Sequence, residues 1–193
     1  MSIEKTSADR ARLIEIIRRR SYGTGVEIRL ASGRMSNFYF NLKPTMLDPE
    51  GAFLIGSLIS AAIAPGEADM IGGLEMGAVP IVAAVAAVSF AKGRPLPAFF
   101  VRKQVKDHGT QSLIEGLVKG ETIKDKRVII VEDVTTTGGS SLQAVEVVKA
   151  EGARVVRVIT VVDRLEGADE AFAKAGVTFT PLLTVQDFRA DAG

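Results

Sequence analysis

The sequence predicts an α/β fold, a parallel sheet with helices on both faces, and three observations carry that prediction. From Ala68 to Ala175, short β-branched runs alternate with longer stretches of helical periodicity, the order that builds a parallel sheet through crossover helices. Within that alternation, Arg127 to Glu151 reads RVIIVEDVTTTGGSSLQAVEVVKAE: a strand from Val128 to Val131, two acids, a Thr/Gly turn and an amphipathic helix. Polar atoms gather there where the strand ends of such sheets meet ligands. The length, 193 residues, suits one domain with a full core, and no internal repeat, low-complexity stretch or linker-like shift in composition argues for a second.

Twenty-four Lys and Arg stand against 23 Asp and Glu, a formal charge of +1, which argues against a general binder of nucleic acid or of membrane surfaces. With no cysteine there is no disulfide, no thiolate metal site and no thiol nucleophile. The N-terminal stretch to Arg20 is too charged for a secretory signal. The longest apolar stretch, Ala78 to Ala91, is interrupted by Pro80 and falls short of the roughly 20 residues needed to cross a bilayer. The expectation is a soluble, cytoplasmic protein with neither nucleic acid nor membrane as a partner.

Ser7 to Arg20 spaces Leu13, Ile14, Ile16 and Ile17 as one face of an amphipathic helix, with Ser7 as N-cap and Arg18, Arg19 and Arg20 at the end that favours cations. Val26 to Leu30 reads as a strand, and Ala31 to Arg34 as a turn into a run from Met35 to Asn41. That run concentrates Phe38, Tyr39 and Phe40 in a chain with nine Phe and two Tyr. By themselves the rings fit either a core strand with one exposed ring or a face offered to a planar base. Asp48, Pro49 and Glu50 are a cap, a proline in the first turn and an acid, opening a helix to Ala64 that buries Phe53, Leu54, Ile55, Leu58 and Ile59. Ala68 to Leu74 is a short strand, and Gly77 to Lys92 a helix apolar nearly all round and therefore internal. Between them GGLEMGAVP is a glycine-bearing strand-to-helix turn.

Pro97 to Val101 is the next strand, and it leads into RKQVKDHGT, residues 102–110. Some 25 residues separate it from the strand at Val128, and a connection of that length is usually functional or mobile. Arg102, Lys103, Lys106 and the only histidine, His108, fall within seven residues. The segment fits a solvated loop, or a lid that closes on a polyanion with Gly109 as its flexible point. Beyond the central helix, Val155 to Val162 is a strand ending in Asp163 and Arg164. Gly167 to Ala175 is a short helix stopped by Gly176, and Val177 to Val185 an edge strand returning toward the N-terminal part.

The chemistry of the central turn follows from its residue types. Hydroxyls of Thr135, Thr136, Thr137, Ser140 and Ser141, the close backbone approach that Gly138 and Gly139 allow, and the free N–H groups of the helix start together suit a phosphate. Glu132 and Asp133 suit a sugar diol or, through water, a hard cation such as Mg²⁺. Adjacent residues on a continuing strand point to opposite faces, so both acids serve one ligand only if the strand ends there and turns. One phosphate beside one ribose is the ligand these residues describe, with an ordinary buried strand and capped helix as the alternative. Neither of the two common glycine-rich nucleotide signatures occurs.

VIIVEDVTTTGG, with Val134 between the acids and the threonines, resembles the phosphoribosyl diphosphate (PRPP) binding motif of type I phosphoribosyltransferases. Three further stretches are similar to orotate phosphoribosyltransferases in particular. ASGRMSNFYFN is similar to their N-terminal segment, which lies over the base, with Ala31 standing where some members carry a Lys. FVRKQVKDHG resembles their catalytic loop, and Arg102, Lys103, Lys106 and His108 match in type and spacing the residues that face the diphosphate. VVDR matches a strand end whose Arg, here Arg164, pairs with the carboxylate of orotate, a role suited to a planar guanidinium. The turn over 72–80 lacks a Lys that some members use, so diphosphate contacts there fall mainly to backbone N–H groups.

This resemblance spans nearly the whole chain. It implies a type I phosphoribosyltransferase-like parallel sheet flanked by helices, with a hood of about 1–45 plus the tail 177–193 over a core of about 46–176. It implies an enzyme that transfers the phosphoribosyl group from PRPP to orotate, giving orotidine 5′-monophosphate and diphosphate in pyrimidine synthesis. Lys106, His108 and Asp133 would be catalytic. The two substrates would meet Arg102, Lys103, Glu132, Val134, Thr135, Thr136, Thr137, Gly138, Gly139, Ser140, Arg164, Tyr39 and Phe40. Mg²⁺ is the implied cofactor, held mainly through PRPP and reached from the protein by a water at Asp133, and the implied assembly is a homodimer with shared active sites. A phosphoribosyltransferase for another base and a non-catalytic PRPP-sensing regulator share the central motif. The lid and Arg164 speak against the first, and the want of an added DNA-binding part or basic surface against the second.

Overall fold

The computed structural model describes residues 3–29, 35–104 and 112–189. Helix α1 (Ile3–Arg20) begins upstream of the expected start, so Ser7 lies inside it and is not its cap. Its apolar face is as read, with Leu13, Ile16 and Ile17 buried. Strands β1 (Tyr22–Arg29) and β2 (Met35–Phe40) form an antiparallel hairpin with Tyr22 opposite Phe40. The first strand starts earlier than its glycine-bearing sequence suggests because the Tyr22 ring is anchored, 4.9 Å from Phe40.

A single-turn helix α2 (Lys43–Met46) precedes α3 (Pro49–Ala62). The Asp48 carboxylate caps α3 as expected, accepting from the Gly51 N–H at 3.0 Å. Leu54, Ile55, Leu58 and Ile59 are buried, but Phe53, expected beside them, is 55% exposed on the outer side of the first turn. Strand β3 (Met70–Gly72) leads to α4 (Ala78–Ala91). This helix buries Ile81, Val82, Val85 and Val88 against the sheet and α3, yet leaves Phe90 75% exposed. It is therefore not internal. Its alanines blur the apolar face, and small residues at the surface read the same as small residues in the core.

Strand β4 (Phe100–Val101) pairs antiparallel with β5 (Ile114–Glu115), and the stretch from Ala98 to Val101 runs parallel to that from Ile71 to Leu74 through bridges Ile71–Ala98 and Leu74–Val101. The connection that looked some 25 residues long is pinned partway by β5 and by the buried Ile123. The remaining elements are β6 (Arg127–Thr135), α5 (Gly139–Ala150), β7 (Arg154–Asp163), α6 (Ala168–Lys174), β8 (Thr178–Thr184) and α7 (Gln186–Arg189). The main sheet is parallel in the order β3-β6-β7-β8, the α/β arrangement expected. At the C-terminus the expected hood is too wide. β8 is the outer strand of the main sheet, and among the described residues of the tail α7 turns back, with Asp187 on Arg10 at 2.8 Å and the Phe188 ring 5.0 Å from Phe40.

Strand alternation divides the core. Ile129 and Val131 of β6 pack toward α1, α3 and α4, while Val128 and Ile130 pack toward α5 and α6. Strand order also fixes where a ligand belongs. The chain leaves β3 for β4 on one side and returns to β6 on the other, so the turns after β3 and β6 diverge. They leave a crevice at the carboxyl ends of both strands, the position at which open α/β sheets bind ligands.

Candidate active site

Strand β6 does not stop at its acids but continues through Glu132 and Asp133 to Thr135, which pairs with Asp163 of β7. This corrects the expectation of a strand ending at Val131. The two carboxylates leave opposite faces, as adjacent strand residues must, and still approach one place. Glu132 is buried on the α5 side, where Ser141 Oγ donates to its Oε2 at 3.1 Å. Convergence depends on Gly77: a Cβ there would lie 2.6 Å from Asp133 Oδ1 and 3.2 Å from Glu132 Oε1. Burial first, and then the neighbouring charge of Asp133, push the Glu132 carboxyl up to about 8.

Two cavities adjoin at these acids. One, of about 390 Å³, runs along the whole turn from Thr135 to Ser141 and is closed by Tyr39, Phe40 and Arg164. Gly138 has φ 86, a left-handed conformation that glycine takes without strain, and it turns the chain into α5. The first turn of α5 leaves its N–H groups without helical partners. Thr135 is buried on the same wall, and its Oγ1 has no hydrogen-bond partner among the described residues. Such a set of donors fits a phosphate. The other cavity, of about 430 Å³, is bounded by Lys43, Lys103, Asp133 and the turn from Leu74 to Gly77. Glu132, Val134 and Ser140 line both.

At the far end of the first cavity, Arg164 is almost fully buried and held from two sides. Its Nε donates to Glu166 Oε1 at 2.8 Å, and its guanidinium carbon lies 4.4 Å from the centre of the Phe38 ring. A planar guanidinium is suited to a carboxylate, to which it can give two parallel hydrogen bonds. Of the three neighbouring rings, Phe38 and Phe40 are buried and Tyr39 is 42% exposed, so the strand has core rings and one exposed ring, and both Tyr39 and Phe40 line the cavity.

Of the sequence-selected residues, Tyr39, Phe40, Lys103, Arg164 and the stretch from Glu132 to Ser140 line these cavities. Arg102 lines neither; it sits at the base of the β4–β5 hairpin, its Nη1 3.9 Å from Glu115. Lys106 and His108, and Ala31, lie outside the described residues. Sequence reading counted Ser141 among the phosphate hydroxyls, whereas its hydroxyl holds Glu132. Lys43, Gly77, Phe38 and Glu166 went unassigned: the first three matter through tertiary neighbours, and Glu166 through the orientation of Arg164, two residues before it. Among the described residues no cluster of three or more His, Asp or Glu gathers to hold a metal ion, and no helix is long and apolar enough to cross a membrane.

Residues 45–192 match the phosphoribosyl transferase domain. The chain is 60% identical, over 182 residues, to the orotate phosphoribosyltransferase of Bradyrhizobium diazoefficiens, covering 94% of this chain and 97% of that protein. Among solved structures it is similar to Mycobacterium tuberculosis orotate phosphoribosyltransferase in complex with Fe(III) dicitrate, at 41% identity and a TM-score of 0.79, over 93% of this chain and 98% of that one. A structure of the same mycobacterial enzyme in complex with PRPP is similar at 36% identity and a TM-score of 0.73, over 93% and 91% of the two chains.

Proposed function

The chain belongs to the phosphoribosyl transferase family and is an orotate phosphoribosyltransferase, and we propose how its residues divide the transfer of a phosphoribosyl group from PRPP to orotate. The observation that carries the proposal is the pair of cavities that share Glu132, Val134 and Ser140. A ribose at that junction would put its 5-phosphate on Thr135 to Ser140 and its diol on Glu132 and Asp133. Its C1′ would face the base on one side and the diphosphate on the other. Orotate would stack near Tyr39 and Phe40 with its carboxylate on Arg164.

In the reaction the bond from C1′ to the diphosphate oxygen breaks, its electron pair leaves on the diphosphate, a ring nitrogen of orotate bonds to C1′, and the proton of that N–H passes to water or the departing diphosphate. The sugar passes through a cation-like state while the leaving group gains charge. Rate enhancement therefore comes mostly from charge placed in advance and from exclusion of water. Asp133 sits where it favours the developing sugar cation. Lys103, with Arg102, Lys106 and His108 on the loop that closes over the site, faces the departing diphosphate in this reading. Mg²⁺, when bound with PRPP, supplies further positive charge to the diphosphate oxygens. The described residues fit it as an ion held through substrate oxygens, since the carboxyl groups facing that cavity, Glu75, Glu132 and Asp133, do not gather into a ready-made cluster that would hold a metal ion by itself.

The working unit is a homodimer, in the cytoplasm, in which the loop beyond Lys103 serves the partner's site. Leu47, Phe53, Met76 and Phe90 support the dimer: all are large, apolar and exposed, and all lie on α3, α4 or the turns beside them. Isotope exchange between labelled bases and their nucleotides tests substrate choice. Exchange with orotate and none with adenine, hypoxanthine or uracil is expected; exchange confined to a purine would overturn the assignment.

A further inference from the structure

Lys43 occupies a position whose surroundings are unusually fixed. In the turn it opens, Thr45 and Met46 are buried, as is Leu42 just before it. The hydroxyl oxygens of Thr45 and Ser21 are 2.6 Å apart. The start of α3 packs so closely that a Cβ on Gly51 would lie 2.2 Å from the Thr45 carbonyl oxygen. The Lys43 backbone N–H donates to Asn41 Oδ1 at 3.3 Å, and its side chain is exposed on the wall of the cavity that also holds Met76, Gly77, Lys103 and Asp133. Among the described residues its ammonium makes neither a hydrogen bond nor an ion pair.

Charge at that wall is the reason to look for a ligand. Three carboxyl groups, Glu75, Glu132 and Asp133, face two described cations, Lys43 and Lys103. Glu75 Oε1 already accepts the Lys103 backbone N–H at 2.9 Å. A diphosphate brought beside these acids needs cations from the protein, and Lys103 belongs to the loop whereas Lys43 stands on a turn locked into the core. A cation placed before the ligand arrives needs no reorganisation as charge develops.

We propose that Lys43 is a further substrate-contacting residue, whose ammonium binds the diphosphate of PRPP from the hood side of the cavity and stays with it as it leaves. The proposal rests on the phosphoribosyl-transfer reading above. Its test is calorimetric binding of inorganic diphosphate, PRPP and ribose 5-phosphate, each with Mg²⁺, to wild type, Lys43→Ala, Lys43→Gln and Lys43→Arg, together with KM for orotate. Loss of a charged hydrogen bond predicts diphosphate and PRPP bound roughly tenfold or more weakly by the Ala and Gln variants, with partial retention by Arg. Ribose 5-phosphate binding and KM for orotate should stay within about twofold, on the same principle that only the lost contact is felt. Unchanged diphosphate affinity would overturn the role of Lys43 alone, as would an equal loss for ribose 5-phosphate, which would move Lys43 to the sugar. Wild type that bound neither diphosphate nor PRPP would overturn the transfer reading itself, and Lys43 with it.

Discussion

Glu132 links the fold to the site through one proton. Its carboxyl is raised to about 8 by burial and by Asp133, so the folded protein holds that proton more tightly than the unfolded chain, where the ordinary value is 4.5. The stabilisation is fully present below the unfolded value and is lost as pH rises through the folded one. Melting temperature should fall over that window in wild type, and Glu132→Gln, which cannot ionise, should flatten the fall. An identical slope in both proteins would remove Glu132 as its source. Arg164 gives a second residue-scale expectation. Arg164→Ala loses a charged hydrogen bond of about 1.5 to 3 kcal/mol and should raise KM for orotate roughly ten- to a hundredfold, leaving KM for PRPP nearly unchanged. Equal rises for both substrates would contradict its assignment to the carboxylate. Glu132 was legible in a local pattern, two acids before a Thr/Gly turn, and Arg164 through the resemblance of VVDR at a strand end. What holds them was not: Gly77 beside the acids and Phe38 beside the arginine act across the fold, while Ser141 on Glu132 and Glu166 on Arg164 are nearby in sequence but show their roles only in the folded geometry.

The elements divide along the same line. Helix α3 began where its Asp-Pro-Glu signal placed it, since the cap is a local interaction with the Gly51 N–H. Helix α4 was read as internal and is half outside, because which side of an alanine-rich helix meets the core depends on what packs there. Strand β6 outran its β-branched run by pairing with β7 as far as Thr135, so long-range hydrogen bonds overrode the pause that two acids suggest. The loop after β4 carries the element-scale prediction. Its base is fixed by the β4–β5 pairing and by the Arg102 N–H on the Leu113 carbonyl at 2.8 Å, while Lys103 is exposed. Trypsin should cut after Lys103 in the free enzyme, and PRPP with Mg²⁺ should protect that bond. Equal cutting with and without substrate would mean that the loop does not close.

At the scale of the whole molecule, the parallel strand order with its reversal between β3 and β6 makes one crevice, and two cavities in it meet at Glu132, Val134 and Ser140. The alternation of strands and helices announced the sheet; the order of its strands did not follow from that alternation. A shared-site dimer predicts complementation. Lys106→Ala and Asp133→Asn subunits, each inactive, should on mixing and refolding regain about a quarter of wild-type activity, because half the dimers are mixed and each of those has one intact site. Activity that stayed at the level of the separate variants, with mixed dimers present, would confine each loop to its own subunit. The central claim, transfer to orotate, is tested most directly by the ultraviolet absorbance of orotate on adding PRPP with Mg²⁺. The account predicts a fall in that absorbance, with one diphosphate released for each orotate consumed. Constant orotate absorbance while PRPP is turned over with another base, or no turnover of PRPP at all, would contradict it.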